Sequence, residues 1–307
     1  MILVALPALT FAVVTVLGFF GGWWWPLDLL ASFRAQYAVT LTVLGLVLVL
    51  ARWRRTGAVV LVAALANAAV VVPLYFAPTI DGVRSGERLL VMSFNVKADV
   101  SLFEPLAALI RRTDPDVVFL HEATPGWEER MAETDLGYLV VPTRNAGVRF
   151  GTLVLAPADA RVEGFGFAEA EPRAVEVSIE TGLGPLTLLG IHPLSPTDER
   201  RADLRDAQLS YAADWARATQ GRVVVVGDFN VTPWSAAFGR LVRSSGLANS
   251  QRGFGVQSSF PANLNPVLRV PIDHLLYSDG LAVIDRRLGP SLGSDHYPLF
   301  VELALVR

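Results

Sequence analysis

Side chains able to do chemistry fall in six short blocks between Ser93 and His296. Asn95 closes the run Val91–Phe94, Glu122 follows Phe119-Leu120-His121, His192 follows Ile191, and Asp228 and Asn230 stand in Gly227-Asp-Phe-Asn230. Asp273 precedes His274, and Asp295 precedes His296. Buried strands have no use for such endings. Polar residues at the ends of neighbouring strands are how a layered fold collects a site. Carboxylate and carboxamide oxygens are donors for a hard cation, and imidazoles move protons near neutral pH. All four histidines, at 121, 192, 274 and 296, lie in these blocks.

Taken singly, each block also has an ordinary reading. A glutamate at a strand end is commonly solvated, and an asparagine in a turn is commonly a turn residue. Gly227–Asn230 with Thr-Pro-Trp-Ser after it reads equally as a helix start, with Asn230 or Thr232 as cap and Pro233 opening the helix. Ser294-Asp-His296 alone is an ordinary loop. His121 and His274 read as structural, and Arg173 as a surface arginine.

The elements that must position these residues are legible from composition. Leu89–Val96, Asp116–Leu120, Leu186–Ile191 and Arg222–Val226 read as buried strands. Gly151–Leu155, Ala174–Ile179, Val270–Leu276 and Tyr297–Leu303 read as further strands. From Asp198 to Trp215, Leu204, Ala207, Tyr211 and Trp215 recur at helical spacing, which predicts an amphipathic helix with that face inward. Many strands with few helices imply an α+β layered domain of two packed sheets.

The chain before these strands has a different composition. Residues 1–79 hold only five charged side chains: Asp28, Arg34, Arg52, Arg54 and Arg55. Three apolar runs there, about 2–20, 35–51 and 57–77, approach or reach the length of a membrane span, and Trp23–Trp25 suit an interfacial belt. A cleavable signal peptide is disfavoured by the lack of a basic start and by the two further runs. Arg52, Arg54 and Arg55 lie between the second and third runs, so retention of positive charge inside places the amino terminus inside. Residues 80–307 are then expected on the extracytoplasmic face of an integral membrane protein. The turn-rich stretch 80–87 reads as a linker, and 88–307 as the catalytic domain.

Several chemistries are excluded. Cysteine is absent, which removes disulfides, thiolate ligands and a cysteine nucleophile. The only lysine, Lys97, is in no glycine-rich loop ahead of a helix, so a P-loop is excluded. Residues 80–307 carry 22 basic and 28 acidic side chains, a net charge of −6. That balance weighs against a polyanion-binding face.

The ordered set Ser-Phe-Asn95-Val, His-Glu122, Ile-His192-Pro, Gly-Asp228-Phe-Asn230, Ile-Asp273-His and Ser-Asp295-His296 resembles the endonuclease/exonuclease/phosphatase family. The resemblance covers about residues 88–304. His121 stands where many members carry Gln, and the domain is short. The resemblance implies a four-layer α/β sandwich of two packed, mainly antiparallel sheets flanked by helices, here preceded by three transmembrane helices. It implies Mg²⁺ (or Mn²⁺), with Glu122 as principal ligand beside the Asn95 amide oxygen and Asp295 as a further contributor. It assigns His296 to acid–base work or phosphate contact, oriented by Asp273. Asp228 is expected to polarise water, Asn230 to hold a phosphoryl oxygen, and His192 to contact phosphate or protonate the leaving oxygen.

The expected function is a membrane-anchored, metal-dependent phosphoesterase acting on a small or lipid-linked phosphate ester or pyrophosphate. The alternative is an extracytoplasmic nuclease or phosphodiesterase, so nucleic acid ranks second as a partner. A non-catalytic binding module is the second alternative. The oligomeric state is not legible.

Overall fold

The computed structural model describes residues 1–77, 83–143, 151–167, 170–181 and 184–306, with side chains described outside 83–87, 165–167 and 170–173. By packing, the chain divides into two compact units. One comprises residues 1–78 with 231–239 and 252–256, and the other comprises 79–230, 240–251 and 257–307.

The first unit is built on helices α1 (Ile2–Gly18), α2 (Trp25–Leu30), α3 (Arg34–Leu50) and α4 (Arg54–Val71). Two helical stretches, Trp25–Leu50 and Arg54–Tyr75, are long and apolar enough to cross a membrane; α1 is apolar but shorter. Small residues let the helices approach closely: Ala5, Ala8 and Ala12 on α1 are buried with Leu41, Leu48, Val60 and Ala64. The interior also holds a polar chain. Arg34 donates to Asn67 Oδ1 (3.2 Å), and Asn67 Nδ2 donates to Thr15 Oγ1 (2.8 Å), tying α3, α4 and α1 together. The large apolar side chains point outward, with Leu3, Val39, Val62 and Leu65 all at least two-thirds exposed.

Two later segments belong to this unit, which the division at residue 79 did not anticipate. Asp28 is buried, and its carboxylate accepts from Ser235 Oγ and from the Ala236 amide, both at 2.8 Å. It thereby caps the helix that begins at Ala236. Trp234 packs on Ala31, Val71 and Leu74, and the Leu74 carbonyl accepts from the Gly253 and Gly255 amides.

The second unit holds two six-stranded sheets. In chain order its elements are β1 (Val83–Asn95), α5 (Phe103–Thr113), β2 (Val117–Ala123), α6 (Pro125–Glu133), β3 (Leu139–Pro142) and β4 (Gly151–Ala156). Next come β5 (Arg161–Phe167), β6 (Ala170–Thr181), β7 (Gly184–Ile191), α7 (Glu199–Ala218), β8 (Arg222–Asp228) and α8 (Ala236–Ser245), of which residues 236–239 belong to the first unit. The chain ends with β9 (Ala248–Asn249), β10 (Asp273–Tyr277), β11 (Leu281–Leu288) and β12 (Leu299–Val306). The sheets run β11-β12-β1-β2-β4-β3 and β5-β6-β7-β8-β10-β9. Each is antiparallel except for one central parallel pair, β1–β2 in the first and β7–β8 in the second.

Side-chain alternation explains the layering. Val91, Val117 and Phe119 face a core shared with Val175, Val224, Val226 and Leu275 of the other sheet. Their neighbours Met92, Phe94, Val118 and Leu120 face the opposite way, onto Leu106, Leu109 and Trp127 of α5 and α6. Both faces of the central strands are buried, so those strands read as unbroken apolar runs.

Among the differences from the sequence reading are two strand boundaries and one helix face. β1 begins at Val83, inside the stretch taken as linker, while residues 78–82 lie outside the described residues. β10 begins at Asp273 rather than Val270, because Pro271 cannot donate to a ladder. The inward face of α7 is Ala202, Leu209, Ala212, Ala213 and Ala216 with Arg205 and Gln208, whereas Tyr211 is exposed. Alanines let a helix lie close to its neighbours, and that outweighed the larger Leu204–Trp215 stripe.

Removing the Asp28 carboxylate leaves the Ala236 amide and the Ser235 hydroxyl without their acceptor, while Ser235 Oγ still accepts from the Ala237 amide. Asp28→Ala should cost about 2 kcal/mol and Asp28→Asn less, since one acceptor oxygen survives. Thermal unfolding of the full-length chain measures both.

Candidate active site

The carboxyl ends of the two parallel pairs carry the polar residues. In the first sheet, Asn95 ends β1 and pairs in register with His121 of β2, placing Glu122 one residue on. The β2–β4 pairing shifts register between Leu120 and Ala123. At that bulge Glu122 adopts a left-handed backbone (φ 58°), a conformation disfavoured for a side chain with a Cβ. In the second sheet, Ile191 of β7 pairs with Gly227 of β8, so His192 and Asp228 emerge together. Asp273 opens β10 directly opposite Asp228.

These ends enclose a cleft of about 240 Å³. Among its lining residues are Asn95, Glu122, His192, Asp228, Asn230, Asp295 and His296. Asp273 lies behind His296: His296 Nδ1 is 2.9 Å from Asp273 Oδ2, and both residues are buried. Asp228 is the hub. Asn95 Nδ2 donates to its Oδ2 (3.2 Å) and the Asn230 amide to its Oδ1 (3.0 Å), while His192 Nε2 and His296 Nε2 lie 3.4 and 3.5 Å from Oδ2. Asn95 Nδ2 also donates to Glu122 Oε1 (3.0 Å), and its Oδ1 accepts from the Lys97 amide (2.9 Å).

The electrostatics follow from burial against pairing. Burial opposes the His296 imidazolium, but the Asp273 and Asp228 carboxylates outweigh it and raise the pKa to about 9. Burial likewise opposes the Asp228 charge. His296 and a hydrogen bond from His192 outweigh it, holding Asp228 ionised well below the ordinary carboxylate range.

All eight residues singled out from the sequence stand in or directly behind the cleft, though two of their contacts differ from expectation. The Asn95 amide turns its nitrogen, not its oxygen, toward Glu122, so it orients the carboxylates as it stands. Asn230 Nδ2 donates to the Pro193 carbonyl (3.0 Å), which ties the loop after β8 to the loop after β7. His121 lies outside the cleft lining, fully buried between Ser93 Oγ and Thr152 Oγ1, and burial first of all pulls its pKa down to about 3. His274 is also fully buried, stacked near Phe229. The Arg173 side chain lies outside the described residues.

Sequence reasoning missed three participants. Phe260 packs on the His296 ring at 4.8 Å. Arg201 reaches the cleft from the first turn of α7. Arg286, buried on β11, donates to the Asp273 carbonyl (3.0 Å) and to Ser250 Oγ (3.2 Å). No local motif marks an arginine in the middle of a strand, and Arg201 and Phe260 lie outside the motif blocks.

The oxygen donors suit a hard divalent cation: carboxylates of Glu122, Asp228 and Asp295 line one small cleft. By distance alone Asp228, Asp273 and His296 also form a compact donor group, with atoms within 4.8 Å of one another. In this structure the His296 ring is engaged by both carboxylates, Nδ1 at 2.9 Å from Asp273 and Nε2 at 3.5 Å from Asp228.

The sequence profile of the endonuclease/exonuclease/phosphatase family matches residues 92–296, more than half of the chain. The chain belongs to this family. Its members are metal-dependent hydrolases of phosphoester bonds, and the protein is an enzyme of that class. Solved structures agree on the fold. TDP2 of D. rerio complexed with a single-strand DNA product is 17% identical over 71% of this chain and 99% of that one, with a TM-score of 0.59. A functionally unknown conserved protein from Enterococcus faecalis V583 is 18% identical over 71% of this chain and all of its own, at 0.58. The endonuclease/exonuclease/phosphatase of Beutenbergia cavernae DSM 12333 is 20% identical over 72% of each chain, at 0.54. No curated protein matches the chain in sequence.

The family enzyme's site depends on one backbone position. Gly227 has φ 148°, and a Cβ there would fall 1.9 Å from the Ile191 carbonyl oxygen. Gly227→Ala must displace β7 or Asp228. It should cost at least about 2 kcal/mol and lower the apparent Tm by roughly 5 °C, with activity lost at temperatures where the chain stays folded.

Proposed function

We propose that the enzyme is a membrane-anchored phosphoesterase that hydrolyses a small or lipid-linked phosphate ester or pyrophosphate at the extracytoplasmic face. The observation that carries the chemistry is the convergence of Glu122, His192, Asp228 and His296 on one cleft of about 240 Å³. That volume suits a phosphate group and its immediate neighbours. The outward-facing apolar side chains of α1, α3 and α4 support the anchor, because a helix bundle in water would bury them. The three arginines at 52, 54 and 55 support an inside amino terminus.

Glu122 and Asp295, with Asn95 if its amide is turned over, would hold Mg²⁺ or Mn²⁺. When bound, the cation supplies positive charge against the phosphoryl oxygens. The chain's own residues do the rest. Asp228, kept anionic, orients the attacking water and takes up its proton as the new P–O bond forms. His296 offers its Nε2–H to a phosphoryl oxygen, with Asp273 fixing the ring. His192 stands beside Asp228 and can give a proton to the leaving oxygen as the ester P–O bond breaks. Asn230 holds the wall that carries His192 and presents its remaining amide hydrogen to the cleft.

Hydrolysis by the full-length protein in detergent tests this reading. The substrates are a polyprenyl pyrophosphate, a phospholipid head-group ester, a generic diester, and single- and double-stranded DNA, each with Mg²⁺ or EDTA. Phosphate release from a lipid substrate is expected, abolished by EDTA and reduced about 10²-fold or more by His296→Ala. DNA cleavage with inert lipids would transfer the protein to the nuclease alternative. Indifference of every substrate to metal and to His296→Ala would favour a binding module. A reporter fused at the carboxyl terminus is expected to score as extracytoplasmic.

A further inference from the structure

Arg201 has no role in the hydrolysis outlined above, yet it lines the cleft. Its position is built with care. Asp198 caps α7 by accepting from the Arg201 amide (2.8 Å), and Arg201 Nε donates to the Ser195 carbonyl (2.9 Å). The segment it holds is the wall that leaves the site at His192. That wall is fastened at each successive residue: Asn230 Nδ2 donates to the Pro193 carbonyl, and the Leu194 amide donates to Gln208 Oε1 (2.9 Å). Arg201 is therefore a pre-positioned cation rather than a mobile surface side chain.

Its charge is not answered by a carboxylate among the described residues, although the cleft is lined by Glu122, Asp228 and Asp295. Lys97, by contrast, is met by Asp295 at 3.4 Å. With Nε engaged, the two terminal nitrogens of the Arg201 guanidinium have no hydrogen-bond or ion-pair partner among the described residues. That planar edge matches two oxygens of a phosphate. The anchoring carbonyl belongs to Ser195, three residues beyond His192, a stretch spanning at most about 10 Å. Arg201 is thus anchored on the wall beyond His192, whereas Asp228 and His296 meet each other across the sheet ends.

We propose that Arg201 is a specificity residue that binds a second, non-scissile phosphate, so that the substrate class is a diphosphate rather than a simple monophosphate ester. This rests on the phosphoesterase reading and narrows it. A lipid-linked diphosphate and a free diphosphate share the recognised chemistry.

Binding of two non-hydrolysable probes to the full-length protein in detergent with Mg²⁺ tests the assignment. Wild type should bind methylenediphosphonate about tenfold or more tightly than methylphosphonate. Arg201→Gln should erase that advantage while leaving the methylphosphonate Kd within about twofold, and Arg201→Lys should keep part of it. A preference unchanged in Arg201→Gln, or absent from wild type, overturns the proposal. So does an equal loss for both probes with a lowered Tm, which would make Arg201 a prop for the Ser195 carbonyl. Hydrolysis of geranyl diphosphate against inorganic pyrophosphate then separates the two sources. Failure of wild type to hydrolyse any phosphoester, with the diphosphonate preference intact, would sink the catalytic reading and spare the subsite.

Discussion

The site depends on burying the Asp228 carboxylate at the meeting of two sheets. A buried charge without partners is prohibitively unfavourable, and here Asn95, His192, Asn230 and His296 all turn toward it. Those four come from four different stretches of chain. Satisfying one carboxylate therefore fixes the relative placement of β1, β7, β8 and the loop before β12. His296 must in turn be neutralised, which explains Asp273 behind it. The Asp273 strand is braced by Arg286 through its carbonyl. Catalytic geometry and fold specificity rest on the same contacts.

The backbone is arranged to serve that cluster. Parallel pairs occur once in each sheet, and both pairs end on the same side with polar residues. Three exceptions to regular backbone lie at those ends: Glu122 and Asn230 are left-handed, and Gly227 accepts a conformation that would drive a Cβ into Ile191. Strain of this kind persists only where the surroundings over-determine it. Here the over-determination comes from the Asp228 partners and from the Asn230–Pro193 tie.

The helical unit follows the same logic with the sign reversed. Its helices turn large apolar side chains outward, Arg52, Arg54 and Arg55 are exposed at the turn from α3 into α4, and a few polar groups lie inside. Thr15, Asn67 and Arg34 form one chain of hydrogen bonds, and Asp28 caps α8. An aspartate among tryptophans looked like a loop charge in the sequence. Its partner is more than two hundred residues away, and no local pattern announces such a pairing.

Local chemistry was enough to read the apolar helices, most strands, the family resemblance and the identity of the polar strand ends. These are properties of short stretches: β-branched runs, helical spacing, and a charged residue where a core strand has no use for one. Tertiary structure decided what depends on several stretches at once. It turned the alanine face of α7 inward, set the Asn95 amide nitrogen toward its carboxylates, placed Arg286 behind Asp273 and brought Arg201 into the cleft. Each of these was settled by competition for hydrogen bonds and close packing between segments distant in sequence. A single segment carries no record of which partner will win.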